Sequence, residues 1–403
     1  MHLRQKREGL RFMDKGDTAQ SGDKLANCLT SLGHMCSDIN QGAISAILPF
    51  LVVAYGYDYA SVAMVVFASN VVSAVIQPLF GIIGDKHPCP WFMALGVFLA
   101  GLGMTLIGFV ENYWLILASA MVSGIGVAMF HPEGGRLSNL AAGARKANGM
   151  SIFAVGGNVG FFVGPLLTAA FLSLFGMRGT LVFVFPATIC TLVLLAFNKR
   201  FKALGVMNTD NGTAAQGKEH WGRFAGVMGI LGGRSILNYG MLAFIPLFIM
   251  GVMGQTQAVS SATLSFFAIC CAVATFMSGR ISERVGTHRL MIVCLAVTAV
   301  LLCVFAFNRS FVAAVVLAGL LAVATDVFYP STVALGMNYV PRHIGTASGI
   351  SYGVVVAVGG AAEPFLGMAG DAFGLIPVIL ILAAISVACM LGSITLRAID
   401  KRG

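Results

Sequence analysis

The stretch WLILASAMVSGIGVAM (114–129) runs straight into FHPEGGR (130–136). The first part is apolar and uncharged. The second gathers an imidazole, a carboxylate, a guanidinium, a proline and two glycines where a hydrophobic segment should close. What this juncture means depends on the surroundings of the apolar part, and the apolar part recurs. Stretches of about 20 residues, the length that crosses ~30 Å of hydrocarbon, occupy 28–54, 60–84, 91–110, 113–136, 147–174, 179–198, 222–250, 260–280, 289–307, 311–338, 345–371 and 375–396. The composition agrees: 58% of the 403 residues are hydrophobic and 10% charged, against about 25% charged in a soluble domain. Barrel strands alternate weakly over about ten residues, unlike these solid runs. The chain is therefore expected to be an all-α membrane protein with twelve transmembrane helices.

The net charge of +9 follows the membrane rather than a nucleic acid. With these spans, all but three of the 25 Lys/Arg fall on the side of the N-terminus. Arg178 and Arg309 lie opposite, and Arg234 lies within a span. Positive charge collects in cytoplasmic segments, so both termini are expected in the cytoplasm and the chain in the inner (plasma) membrane. Residues 1–26 form a basic tail with no apolar core of a signal peptide. The nine cysteines show no paired spacing and read as small apolar residues.

FKALGVMNTDNGTAAQGKEH (201–220) is the long polar interior segment, and it divides the spans six and six. The expected organisation is a first bundle at 27–198, a cytoplasmic linker at 199–220, a second bundle at 221–398 and a tail at 399–403. The halves repeat one another at an offset near 200 residues: AILPFLV around Pro49 answers AFIPLFI around Pro246, GIIGDK (81–86) answers GRISER (279–284), FHP (130–132) answers FYP (328–330), and NGMS (148–151) answers SGIS (348–351). Transporters are commonly built from such repeats, with the substrate site between them near the midplane.

In the short turn after the second helix of each half stand Gly81, Asp85 and Lys86, and Gly279, Glu283 and Arg284. A glycine there admits a neighbouring helix, and an acid and base can pair across the turn or with helix ends. At these residues the sequence resembles the major facilitator superfamily, whose signature loop has this form; after Lys86 the N-terminal copy departs from it with HPCPW. SLGHMCSDINQGAISAILPFL (31–51), QPLFGIIGDKHPCPW (77–91), FHPEGGR and SIFAVGGNVGFFVGPLL (151–167) further resemble the fosmidomycin resistance protein family of drug transporters. The resemblance implies two pseudo-symmetric six-helix bundles and export of anionic phosphonates or other drugs driven by the proton gradient. Import of an organic anion with protons is the alternative, since one fold runs either way. No catalytic constellation is present, so an enzyme is not expected.

Ionisable groups inside membrane helices cost about 2.5–3.5 kcal/mol each on insertion scales, so each needs a reason. His34 and Asp38 are four apart on the first helix and share a face, with Asp38 near mid-depth. A carboxylate beside an imidazole is a candidate proton carrier, alternatively a satisfied structural hydrogen bond. Arg234 reaches a similar depth in the seventh helix. It needs an anionic partner, either cargo or a protein carboxylate such as Asp326 or Asp38. Asn40, Gln41, Asn238 and Tyr239 beside these residues, with Asp326, complete the expected substrate contacts.

In FHPEGGR, His131 and Glu133 point to different sides of a helix, which disfavours a metal pair, whereas Glu133 and Arg136 are three apart and can pair. Pro132 removes a ladder hydrogen bond and the glycine pair loosens the next turn. The expectation is a polar hinge in which His131 and Glu133 join the proton path, with a helix end carrying a local salt bridge as the alternative. Gly156, Gly160 and Gly164, followed by Pro165, form a small-residue ladder suited to tight helix contact. The expected partners are protons, a small-molecule substrate and the bilayer. No metal, cofactor or nucleic acid is expected, and the protein is expected to act as a monomer.

Overall fold

The computed structural model describes residues 22–57, 59–210, 218–255 and 257–400. Of the expected tails and linker, residues 1–21, 211–217 and 401–403 lie outside these. The described chain is helical almost throughout, as lipid demands: without water, each backbone N–H and C=O must be satisfied within its own segment. The first half comprises α1 (Lys24–Ala46), α2 (Leu48–Tyr55), α3 (Tyr59–Lys86), α4 (Trp91–Leu106), α5 (Tyr113–Ala141), α6 (Lys146–Phe175) and α7 (Val184–Ala196). The second comprises α9 (Trp221–Gly251), α10 (Gln257–Val285), α11 (Thr287–Phe307), α12 (Phe311–Asp326), α13 (Tyr329–Tyr339), α14 (Ile344–Gly349), α15 (Val355–Phe373) and α16 (Leu375–Asp400). Between them α8 (Asn198–Asp210) makes the start of the linker helical, because Phe201 is fully buried and anchors it to the bundle.

Among the described residues, ten segments are long and apolar enough to cross a membrane. One of these, Lys146–Ala196, is 51 residues long and contains both α6 and α7. The α1–α2 segment stands apart from the ten because its first helix carries the polar interior residues. Side-chain caps start several helices: Asp23 accepts from the Ala26 amide at 3.0 Å, Asn112 from Trp114 at 2.9 Å, and Ser310 from Ala313 at 3.5 Å.

One face of the molecule gathers the described ends of the chain and the middle segment. Arg200 clamps Asp23 at 2.7 Å, Asp400 accepts from Tyr339 and meets His288 at 2.7 Å, and Glu219 meets His343 at 2.6 Å and the Trp221 indole at 3.1 Å. The two halves close upon each other toward this terminal face. A Cβ added at Gly81 would lie 2.4 Å from the Gly345 carbonyl, and one at Gly279 would lie 2.4 Å from the Asn148 Cα. Both signature glycines are thus points where two backbones meet. Asp85 accepts hydrogen bonds from the Gly345 amide (2.6 Å), the Thr346 amide (2.8 Å) and the Thr346 hydroxyl (2.6 Å), and so caps the start of α14 from the opposite half. A carboxylate there also meets the positive end of the helix dipole. Ser151 donates to the Thr275 carbonyl, and Asn158 donates to the Thr275 hydroxyl at 3.0 Å. Farther from the terminal face, Asn158 and Gly353 still touch the opposite half.

The repeat is not symmetrical at this closure. Glu283, Arg284 and Lys86 are exposed, and Glu283 forms no hydrogen bond or ion pair among the described residues, so both copies touch the opposite half through their glycine but only the first also does so through its carboxylate. Removing that bridge should loosen the face: in Asp85→Ala, a cysteine introduced by N148C, at the other glycine contact, should alkylate several-fold faster than in the parent. An unchanged rate would show that Asp85 serves α14 alone. The Glu219 cluster gives a second test. Burial pushes its carboxyl up, but the His343 and Trp221 hydrogen bonds outweigh burial and hold it below the usual range. A depressed carboxylate stabilises above its unfolded value of about 4.3 and loses that contribution as pH falls through its folded value. Glu219→Gln should therefore flatten the acid-side fall in thermal stability between about pH 5 and 3.

Candidate functional site

His34 and Asp38 on α1 meet His131 from α5 in the interior of the first half. The His34 Nε2 lies 3.2 Å from Asp38 Oδ2, and the His131 Nε2 lies 3.2 Å from Asp38 Oδ1. All three are buried, Asp38 to 3% exposure. The opposite ring nitrogens are also fixed: His34 Nδ1 lies 2.7 Å from the Phe153 carbonyl and His131 Nδ1 lies 2.9 Å from the Val127 carbonyl. A carbonyl only accepts, so each Nδ1 must carry a proton and donate it.

That assignment decides the chemistry. With both Nδ1 atoms protonated, a neutral imidazole turns its Nε2 lone pair toward Asp38. An ionised Asp38 between two neutral rings would then place acceptor against acceptor in both gaps. One added proton bridges one gap; two fill both and leave the cluster with a net charge of +1. The triad is thus built to hold at least one exchangeable proton, with room for a second. It is also the one group of His, Cys, Asp or Glu side chains among the described residues with metal-like proximity, its ligand atoms lying within 4.8 Å of one another. Each 3.2 Å gap is short enough for a proton to bridge.

The walls of the triad are aromatic. Phe153 stacks on His34 at 4.1 Å between ring centroids, and Tyr352 stands edge-on to His34 at 5.8 Å and 5.6 Å from His131. Tyr352 comes from the second half, in a π-helical turn (Ile350–Val354) between α14 and α15, and its buried hydroxyl has no hydrogen-bond partner among the described residues. Such a turn re-aims side chains and recurs at functional positions. Ser348, just before it, donates to the His131 carbonyl at 3.1 Å. Gly157 forms the floor, where a Cβ would lie 2.6 Å from His34 Nε2 and 2.8 Å from Asp38 Oδ2.

Other expected site residues lie elsewhere. Glu133 pairs with Arg136 through two hydrogen bonds of 2.8 and 2.7 Å on the side of α5 away from the triad, against Gly84. The spacing of FHPEGGR foretold that pair, and it leaves Glu133 apart from His131. The expected hinge is not visible as a break, since α5 runs uninterrupted through Pro132. Its glycines are used for packing, with Gly135 against Ser348. The equivalent FYP does interrupt its helix, between α12 and α13. Gly156, Gly160 and Gly164 press on the backbone of α1 at Ser31, Met35 and Ile39, and Pro165 lies within an unbroken α6.

In the second half, Arg234 forms an ion pair with Asp326, donates to the Thr325 carbonyl at 3.2 Å and lies 4.3 Å over the Tyr329 ring. Of the two partners weighed for Arg234 within the protein, Asp326 is the one observed, and Asp38 is occupied by the histidines. Asp326 Oδ2 remains buried without a hydrogen bond among the described residues. Asn40 donates to the Cys36 carbonyl at 2.8 Å while its Oδ1 has no partner among the described residues. Gln41, Asn238 and Tyr239 are half-buried. Tyr352, Phe153, Gly157 and Tyr329 had not been singled out in the sequence. Tyr329 was within reach, since it occupies in FYP the place of His131 in FHP.

The geometry yields a prediction. Gly157→Ala should separate His34 from Asp38 and cut any proton-dependent activity at least tenfold, whereas Gly229→Ala, in open space, should leave it intact. Equal activity of the two variants would show that the triad spacing is unimportant.

Residues 30–254 and 224–402 both match the family model described as Major Facilitator Superfamily. An uncharacterized MFS-type transporter, YfnC of Bacillus subtilis (strain 168), is 28% identical over 362 residues, covering 88% of each chain. The fosmidomycin resistance protein of Escherichia coli (strain K12) is 27% identical over 349 residues, covering 85% of each. Among solved structures, the MFS transporter FucP in the outward conformation superposes with a TM-score of 0.73 at 14% identity, over 93% of this chain and 98% of that one, a likeness of fold.

Proposed function

Because the chain belongs to the major facilitator superfamily, and is a membrane carrier rather than an enzyme, we propose that it exports a small drug-like or metabolite anion in exchange for protons. The observation that carries the reading is the His34–Asp38–His131 triad. Its tautomers are fixed from outside, it cannot be fully deprotonated without setting acceptors against each other, and it can take a second proton. Such a cluster changes net charge by one while its geometry stays nearly fixed, which is what a proton-coupled carrier requires of its coupling site. The 27% identity with a fosmidomycin resistance protein supports the outward direction and an anionic cargo.

In this reading the terminal face is cytoplasmic, and contact between the halves closes it while the opposite side stands open. Asp85, Gly81 and Gly279 hold the closed face. The cargo anion is received at Arg234, whose planar fork suits phosphonate or carboxylate oxygens. Asp326 occupies that fork in the cargo-free protein, and cargo binding exchanges one carboxylate for another acid group, so the guanidinium is never left bare. Asn238, Tyr239, Asn40 and Gln41 lie nearby to complete hydrogen bonds to cargo. The protein works as a monomer in the inner membrane, both termini in the cytoplasm.

Asp38→Asn tests the reading. An amide cannot cycle a proton, so in proteoliposomes the variant should lose more than tenfold of pH-gradient-driven movement of a labelled phosphonate, while keeping its thermal midpoint and its downhill exchange of that phosphonate. Full gradient-driven accumulation in the Asn variant would remove the triad from coupling. Direction is read in cells, where the protein should lower phosphonate accumulation and an uncoupler should abolish the effect; raised accumulation would identify the importer instead.

A further inference from the structure

The carboxylates inside the bundle have counterparts, except one. Asp38 faces two imidazoles, Asp326 faces Arg234, Glu133 faces Arg136, and Asp85 caps α14. Glu363, in the interior of α15, forms no ion pair or hydrogen bond among the described residues and is half-buried. Its orientation follows from its neighbours. Gly359, Glu363 and Leu366 are spaced four and three residues apart and share one face of the helix. A Cβ on Gly359 would lie 2.3 Å from the Ser235 hydroxyl and 2.6 Å from the Tyr239 ring, and Leu366 reaches within 3.3 Å of where a Cβ on Gly240 would stand. Glu363 is therefore on the side of α15 that meets α9, level with Tyr239, and not on the side that meets lipid.

Its depth is equally informative. Gly353 is the last glycine of this helix to touch the first half, at Ala74 and Gln77. Glu363 lies ten residues farther on, about 15 Å at ~1.5 Å per residue, away from the terminal face. An unpaired carboxylate at membrane depth needs a positive partner, and the described protein supplies none to it. Arg234 stands five residues before Tyr239 on α9, about 7.5 Å along the same helix axis, and is already matched by Asp326.

We propose that Glu363 is a cation-recognising subsite of the cargo site, so that the transported molecule is a zwitterion. Its ammonium-type group rests at Glu363 beside Tyr239, and its acid group rests at Arg234. The inference deepens the export reading given above and relies on it for the anionic end alone; the cationic end stands on Glu363. Binding of one solute would then neutralise the lone carboxylate and take over the fork held by Asp326.

The test uses the purified full-length protein in detergent and three probes: propylphosphonate, 3-aminopropylphosphonate and propylammonium. Calorimetric titration should show the amino compound binding at least tenfold more tightly than propylphosphonate. Glu363→Gln should erase that preference while leaving the affinity for propylphosphonate, and the thermal midpoint, where they were. Equal affinities in the parent protein, a preference that survives Glu363→Gln, or no ammonium-dependent binding by either amine would overturn the subsite. So would a variant that keeps the preference but loses gradient-driven transport, which would make Glu363 a proton carrier. If propylphosphonate and its amino derivative both fail to bind but propylammonium binds in a Glu363-dependent way, the cationic subsite stands and the anionic reading of Arg234 falls.

Discussion

A charge inside a lipid-embedded bundle has no water to turn to, and this constraint arranges most of the interior. It explains why the polar residues of α1, α5, α9 and α12 meet in matched sets. In the first half an acid on the first helix is met by a base from the fourth helix, Asp38 by His131. In the second half the signs invert, and Arg234 on the seventh helix is met by Asp326 on the tenth. The repeated motif confirms the correspondence. His131 of FHP touches Asp38, and Tyr329 of FYP lies under the Arg234 guanidinium at 4.3 Å. One helix-pair geometry is thus used twice. The first half fills it with a carboxylate and imidazoles, which can gain or lose a proton, and the second with a permanent cation.

The contacts that close the terminal face obey a second constraint, the distance at which two helix backbones can approach. Gly81 and Gly279 each give up a side chain so that a backbone of the other half can come within van der Waals range. Their charged companions diverge. Asp85 finds three donors, two of them amides at the start of α14. At the equivalent place the first half offers the flank of α6 at Asn148, where Ser151 and Asn158 supply neutral hydrogen bonds instead. Glu283 is exposed and caps no helix among the described residues. The two halves therefore repeat in backbone and differ in how firmly each is held.

The sequence revealed the parts whose signal is local. The apolar runs gave the helices, the FHP/FYP and signature-loop repeats gave the two halves, and i,i+3 and i,i+4 spacing gave Glu133–Arg136 and His34–Asp38. His131 entered the candidate list through its motif, but its meeting with Asp38 is a contact between helices 93 residues apart, which no spacing rule reaches. The same holds for Arg234 and Asp326, where two possible protein partners of similar depth could be separated only in three dimensions. Tyr352 was hidden for another reason. A regular helix through 344–373 would aim its side chain elsewhere, and the π-helical turn that redirects it leaves no mark on the hydrophobic pattern. Pro132 removes a ladder hydrogen bond, yet the helix assignment runs on through it, and Gly134 and Gly135 lie against neighbouring side chains.

The position of Tyr352 gives the triad its link to conformation. The proton-holding groups belong wholly to the first half, yet one wall of their enclosure and the hydroxyl that reaches the His131 carbonyl belong to the second. With the terminal face closed, Asp38 is almost entirely shut off, and the charge of a doubly protonated triad lies against aromatic rings and a hydroxyl that has no partner. Parting of the halves at that face would withdraw Ser348 and Tyr352 together, since they stand four residues apart on one continuous stretch of helix. Water would then reach Asp38 from the terminal side, and the charged form would be stabilised by hydration. In the proposed proton-coupled cycle the two arrangements would differ in their affinity for the second proton, and a ligand shifts a conformational equilibrium only through such a difference. A seal contributed by the opposite half would then tie proton occupancy to the movement of the halves, with no further element between them.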